Sequence, residues 1–244
     1  MTGAATGIGR SIATHLAGSG FRVAINYSKS EAEARSAAAA IEHIGAECIV
    51  VQADVADDTD CRRLTQEVAA KWGRVDVLVN NAGYTRAVPI ANLDDVAESD
   101  WDRTFAVNVK GAFLMTRACA AMLREARGCV VNVSSTAALN SLGSSIAYSA
   151  SKASLNNLTL SLARALAPHV RVNAVLPGYV ETRWNERTLG ERLPAMRKLV
   201  AQQTLLGGAC RPEHVAQLVG SMVDGMDWVT GELIVADGGL LARQ

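Results

Sequence analysis

Short apolar runs punctuate the chain at Arg22–Tyr27, Cys48–Ala53, Val75–Asn80, Gly128–Ser134, Val170–Leu176 and Glu232–Ala236. Most are rich in Val and Ile with little polar alternation, the pattern of strands covered on both faces. Between them lie segments of helical length and composition: Arg10–Ser19, Glu31–Gly45, Asp57–Trp72, Asp100–Arg127, Ser149–Ala167 and Glu213–Asp224. Strand and helix alternate to the end. That order predicts an α/β fold, a doubly wound, mostly parallel, Rossmann-like sheet whose right-handed crossovers place helices on both faces. No proline- or serine-rich linker and no repeat divides the chain, so residues 1–244 are expected to form one domain.

Two of the helices are unusually poor in charge. Ser149–Ala167 carries only Lys152 and Arg164, and the stretch from Phe105 to Leu123 only Lys110 and Arg117. An outer helix normally shows water a charged stripe. Either neighbouring loops cover these two helices or a subunit interface does. The second reading is preferred and predicts a homotetramer, because the exposed apolar area would otherwise exceed what a monomer tolerates.

Composition adds mainly exclusions. Hydrophobic residues make up 49% and aromatic residues 5%, so the core must be built from Ala, Val, Leu and Ile. The 24 basic and 24 acidic residues balance without a like-charge block, which argues against nucleic-acid and membrane-surface partners. No apolar run approaches the ~18 residues of a membrane span, and the opening residues lack the basic-then-apolar order of a secretory signal. Five cysteines without a Cys-x-x-Cys pair suit reduced thiols in a cytoplasmic protein. The four histidines show no metal-ligand spacing, so no metal site is expected.

The chemistry concentrates in two places. Tyr148 and Lys152 stand four residues apart, on one face of a helix. A cation there favours the ionised phenol and lowers a pKa of about 10 towards a working value. Ser135 lies thirteen residues before Tyr148. At the other end, Gly3, Gly7 and Gly9 precede a helix, where glycine lets the backbone approach a pyrophosphate held by amides and the helix dipole.

In these motifs the chain resembles the short-chain dehydrogenases/reductases, most nearly the 3-oxoacyl-[acyl-carrier-protein] reductases. The glycine motif Thr-Gly-x-x-x-Gly-x-Gly falls on Thr2 to Gly9, and the resemblance assigns Gly3, Ala4, Ala5, Thr6, Gly7, Ile8 and Gly9 to the cofactor. It assigns Asp54 and Val55 to the adenine end, and Asn81, Ala82 and Gly83, after Asn80, to the cofactor floor. Pro177, Gly178, Val180 and Thr182 follow, with Thr182 placed to touch the carboxamide, and Trp228–Gly239 matches the family's closing strand and turn. The resemblance also implies the catalytic roles. Ser135 would hydrogen-bond the substrate carbonyl oxygen, and Tyr148 would protonate it as hydride arrives. Lys152 would bind the nicotinamide ribose and depress the Tyr148 pKa, and Asn108 would hold a water that relays protons to Lys152.

Nucleotide choice has a chemical argument. NAD-selective sites usually end the second strand on a carboxylate that repels a 2′-phosphate. Here the strand runs Ile25-Asn26-Tyr27-Ser28-Lys29-Ser30, with no acid before Glu31. Ser28 and Lys29 suit a phosphate, so NADP(H) is expected over NAD(H), unless Lys29 simply points into solvent.

Residues 183–208 read as a substrate lid, with Trp184, Leu189, Leu193, Met196, Leu199 and Leu205 amid mixed charges. The same segment could instead pack on a neighbouring subunit. A carrier protein would want a basic patch; Arg86, Arg183, Arg187, Arg192 and Arg197 are candidates, diluted by Glu181, Glu186 and Glu191. The leading expectation is an NADPH-dependent carbonyl reductase acting on a small ketone or acyl thioester. The alternatives are a sugar, polyol or secondary-alcohol dehydrogenase on the same scaffold and, from another class, a non-catalytic dinucleotide sensor. Loss of Tyr148 or Lys152 would mark the sensor, and both are present.

One departure stands out. The glycine loop should follow a strand, yet only Met1 precedes Thr2. The absent strand would lie between Arg22–Tyr27 and Val75–Asn80, and the expectation is a native start upstream, with roughly 5–10 further residues.

Overall fold

A computed structural model describes residues 1–182, 185 and 189–243. In chain order come α1 (Gly7–Gly18), β1 (Val23–Tyr27), α2 (Glu31–His43), β2 (Cys48–Gln52), α3 (Asp58–Trp72) and β3 (Val77–Asn80). Next are α4 (Glu98–Phe105), a π-helical turn (Ala106–Gly111), α5 (Ala112–Ala126), β4 (Cys129–Val133), α6 (Ala137–Asn140) and α7 (Ile146–Leu166). The order closes with β5 (Arg171–Pro177), α8 (Leu193–Gln203), α9 (Pro212–Asp224) and β6 (Leu233–Ala236). Every ladder is parallel, with β3, β4, β5 and β6 in that order in one sheet and β1 beside β2 in a second.

Alternation within the strands explains why they read as continuous apolar runs. Leu78, Val130 and Val172 face a layer made by α3, α5 and α7, where they meet Leu64, Leu123 and Leu162. Their neighbours Val79, Val131 and Val175 face the other way, onto Ile12 and Leu16 of α1 and Val215, Val219 and Met222 of α9. Both faces are buried, so neither needs polar positions.

Between β1 and β3 the sheet is interrupted, as the departure at Thr2 predicts. Met1 and Thr2 bridge only one end of the gap. The Met1 ammonium donates to Ala24 O at 2.9 Å, Asn26 N donates to Met1 O at 3.1 Å, and Thr2 N donates to Val79 O at 3.0 Å. Burial in this slot pushes the pKa of the ammonium down. Beyond Met1 the slot is a cavity with an empty volume of about 850 Å³ including its open mouth, walled by Leu16, Phe21, Leu64, Val68, Trp72 and Met115 among others.

The expected helix Asp100–Arg127 is not continuous. It is α4 and α5 joined through the π-turn, which inserts one residue into the hydrogen-bonding ladder and re-aims the side chains around Asn108. Two other boundaries also move. Helix α1 begins at Gly7 rather than Arg10, and α7 at Ile146 rather than Ser149, because the Ser145 hydroxyl caps it by accepting from Tyr148 N. Among the described residues, no helix is long and apolar enough to cross a membrane.

Candidate active site

The C-terminal end of β4 and the first turns of α7 bring the expected catalytic groups together. Ser135 follows β4; its Oγ accepts from Ala137 N at 3.1 Å, and its hydroxyl lies close enough to the Tyr148 phenol to draw that phenol's pKa down. Capped by Ser145, α7 places Tyr148 in its first turn and Lys152 one turn later on the same face. The Lys152 Nζ donates to Val133 O at 2.7 Å and stands 5.7 Å from the centre of the Tyr148 ring.

Asn108 reaches this group from the π-turn. Its Nδ2 donates to Tyr84 O at 3.0 Å and to Ser151 Oγ at 2.9 Å, and its Oδ1 accepts from Tyr84 N at 2.7 Å. One Oδ1 lone pair is what the side chain retains for a water.

The electrostatics correct one expectation. Desolvation pushes the Tyr148 pKa up, opposed by the neighbouring Ser135 hydroxyl, so the phenol sits above its ordinary value rather than below it. Burial acts on Lys152 in the opposite sense and brings it down to about 8. Loss of solvation outweighs the neighbouring cation here, because the ammonium is turned to the Val133 carbonyl and not to the phenol oxygen.

The glycine loop has the shape of an anion cradle. Gly3 and Gly7 sit at φ +60° and +55°, where L side chains are strained. A Cβ on Gly9 would lie 2.3 Å from Gly3 O and 2.5 Å from Asn81 Nδ2. Ala4 and Ala5, within the loop, are buried, and α1 starts after Thr6 without a side-chain cap, so its first amides, those of Gly7, Ile8 and Gly9, are unclaimed by a capping side chain. Such a helix start favours a pyrophosphate. The residues present therefore fit a dinucleotide.

Asn81 holds the cradle in place by donating from Nδ2 to Thr2 O and Gly3 O, while Asn81 N and Ala82 N donate to Thr2 Oγ1. Gly83 follows, with room for a Cβ only 3.7 Å from Asn108 Oδ1. Pro177 ends β5, Gly178 lies against Asp237, and Val180 bridges to Cys210. Thr182 arrives beside the loop, its Cγ2 3.4 Å from where a Gly7 Cβ would be. The segment after β5 and the glycine loop thus meet.

Asp54 and Val55 follow β2, with Val55 packed on Gly111 and the Asp54 carboxylate 2.9 Å from Arg103 Nη2. Ser28 and Lys29 are exposed just past β1. Of the lid and patch residues, Trp184, Arg183, Glu186 and Arg187 lie outside the described residues. Arg86 is bound to Asp100 and Arg197 to Glu181. Sequence reasoning missed Arg103, Ser151 and the anchoring role of Thr2; of these only Thr2 had a local signal, its place in the glycine motif. Among the described residues no group of three or more His, Cys, Asp or Glu could hold a metal ion.

The chain is similar to known proteins along nearly its whole length. A family model described as enoyl-(acyl carrier protein) reductase matches residues 3–241. A Streptomyces violaceoruber protein assigned as ketoacyl reductase 2 of the granaticin polyketide synthase is 39% identical, over 98% of this chain and 94% of that protein. The L-rhamnose 1-dehydrogenase (NAD(P)(+)) of a Sphingomonas strain is 37% identical, over 98% and 94%. A crystal structure of a Burkholderia xenovorans protein, assigned as a short-chain dehydrogenase/reductase, superposes with a TM-score of 0.93 at 39% identity, covering 99% of this chain and 96% of that one.

Proposed function

The chain belongs to the short-chain dehydrogenase/reductase family of NAD(P)-dependent oxidoreductases, and on that premise we propose that it is an NADPH-dependent carbonyl reductase acting on small ketones or 3-oxoacyl thioesters. The observation that carries the reading is the placement of Ser135 at the end of β4 beside the Tyr148 phenol, with Lys152 one helical turn beyond Tyr148 on α7.

Ser135 and Tyr148 converge two hydroxyls on one point, where a carbonyl oxygen can accept from both. As negative charge develops on that oxygen, the Tyr148 phenol gives up its proton. The raised pKa suits the phenol to staying protonated until then, and Lys152 stabilises the tyrosinate once formed. The bound dinucleotide supplies the hydride. Gly3, Gly7 and Gly9 with the first amides of α1 would hold its pyrophosphate, Asp54 and Val55 its adenine end, and Thr182 its carboxamide. Ser28 and Lys29, exposed and without a neighbouring acid in their turn, would take the 2′-phosphate.

Two features favour a substrate with an apolar part. Leu139 and Leu142, on the segment that follows Ser135, are 54% and 68% exposed. The arginines Arg86 and Arg197 are already paired with carboxylates, which weakens the case for docking an acidic carrier protein. The similarity to a rhamnose dehydrogenase supports a second reading, oxidation of a sugar hydroxyl in the reverse direction. A homotetramer also belongs to the proposal. The outward face of α7 carries the small residues Ala153, Asn157 and Ser161, and Trp101 and Phe113 are exposed on α4 and α5.

The test is a spectrophotometric screen of NADPH oxidation with 3-oxoacyl thioesters, diketones, quinones and ketoses. Each active substrate is then repeated with Tyr148→Phe, which should cut turnover by about two orders of magnitude or more while NADPH still binds. A Tyr148→Phe protein with most of its activity intact would sink the mechanism.

A further inference from the structure

Ser151 is unclaimed by the chemistry above, yet it sits at its centre. It is completely buried, at 0% exposure. Its Oγ donates to Tyr148 O at 2.7 Å and accepts from Asn108 Nδ2 at 2.9 Å. Resting on the assignment of Tyr148 as proton donor, we propose that Ser151 is a positioning residue, the hydroxyl that locks the π-turn of Asn108 to the first turn of α7.

The argument begins with what a serine does inside a helix by default. Ser154, three residues on, shows it: its Oγ donates back to Ala150 O at 3.0 Å within the same helix. Ser151 makes a similar back-bond but also accepts a hydrogen bond from another element, the Asn108 amide. Asn108 is itself buried, so removing the Ser151 oxygen leaves one of its two Nδ2 hydrogens without its protein acceptor. The same amide holds Tyr84 by both its N–H and its carbonyl. A single hydroxyl therefore ties the loop after Asn81-Ala82-Gly83, the π-turn and the Tyr148 peptide into one assembly.

Tyr148 has little room to absorb a slip. Its amide donates to Ser145 Oγ at 3.2 Å, and a Cβ on Gly143 would lie only 2.9 Å from its Cδ1. With the ring hemmed in, a shift of the peptide passes to the phenol. Misplacement of a reacting group by 1 Å can cost on the order of 100-fold in rate.

The experiment follows NADPH oxidation with ethyl 3-oxobutanoate in the full chain. Variants are Ser151→Ala, Ser151→Cys, Asn108→Ala and the double variant Ser151→Ala/Asn108→Ala, with Ser154→Ala as control. Ser151→Ala should lower kcat about tenfold or more while KM for NADPH moves less than about twofold. Ser154→Ala should change neither by more than about twofold. The double variant should be no slower than the worse single, the mark of groups acting as one unit. If Ser151→Ala does not fold, Ser151→Cys keeps the shape with a poor hydrogen-bonding sulfur and should show the same kcat loss. Unchanged kcat in either Ser151 variant, or effects that multiply with Asn108→Ala, would overturn the proposal. Tyr148→Phe separates the two levels. If it stays active, the proton-donor reading falls and this one with it; if it is dead while the Ser151 variants keep full kcat, only the positioning role falls.

Discussion

The slot between β1 and β3 invites a direct perturbation, an extension of about four Val- and Ile-rich residues fused ahead of Met1, which with Met1 and Thr2 makes the length of an ordinary strand. The parallel register defines where it would pair. Since Cys129 N donates to Asp76 O and Val23 N to Glu47 O, the groups of Val77 and Val79 face away from β4, and those of Ala24 away from β2. Continuing the strand begun by Met1 and Thr2, the first added residue meets Val77 O and Val79 N, and the two before it meet Ala24 N and Val77 N. Those four bonds contribute about 4 kcal/mol at ~1 kcal/mol each, against about 6 kcal/mol for ordering four residues at ~1.5 kcal/mol each. Side-chain burial decides the sign. Alternate residues would pack against Leu64, Val68 and Met115 on one side and Leu16 and Phe21 on the other. Three such side chains supply roughly 6 kcal/mol at ~2 kcal/mol each, leaving a net gain of about 4 kcal/mol. For a chain of this size that gain raises Tm by roughly 8–16 °C. Calorimetry of the extended and unextended proteins measures it, with a Gly/Ser extension of equal length as control. Amide exchange at Ala24, Val77 and Val79 should slow only in the apolar extension. If the apolar and Gly/Ser extensions melt together and those amides exchange alike, the cavity does not accept a strand in this register.

Lys152, brought down to about 8 by burial, binds fewer protons folded than unfolded between pH 8 and about 10.5, so its contribution to stability should rise with pH across that window. The buried cysteines act in the opposite sense above their ordinary value, so the readout is the difference in urea midpoint between the parent and Lys152→Met at pH 7.5 and 9.5; a difference that does not change with pH refutes the shift. Ser28→Asp should reverse or erase an NADPH preference of about tenfold or more in kcat/KM, by setting a carboxylate against the 2′-phosphate. Equal use of NADH and NADPH by the parent would show that Ser28 and Lys29 do not read the phosphate. Light scattering at micromolar concentration should report four copies, and a stable monomer would leave the exposed Trp101 and Phe113 unexplained.

What could be read in the sequence was whatever is encoded close together along the chain. Val- and Ile-rich runs located the described strands to within a residue or two, because burial on both faces leaves few polar positions, chiefly the buried Asn26, Asn80, Asn132 and Asn173, to interrupt the pattern. The glycine loop and the Tyr148/Lys152 pair were legible because their partners lie within one turn. The break at residues 106–111 was not, since a π-turn changes hydrogen bonding without changing helical composition. Bridges across the chain also left no local trace. Nothing near Asp54 announces Arg103, 49 residues away, and nothing near Asn108 announces Ser151, 43 away. The direction of the Tyr148 shift was misjudged for a related reason: spacing shows a neighbouring cation, but desolvation is a property of everything packed around a group.

The π-turn has a consequence for how this chain tolerates length changes. A single inserted residue separates α4 from α5, so removing one residue between Ala106 and Gly111 would restore an unbroken α-helical ladder. Everything on one side of the deletion would then rotate by about 100°, one residue's worth of helix. Asn108 would swing away from Tyr84 and Ser151 even as the helix became more regular. A deletion scan across this stretch should therefore separate two properties that usually fall together, with helical regularity gained where turnover is lost.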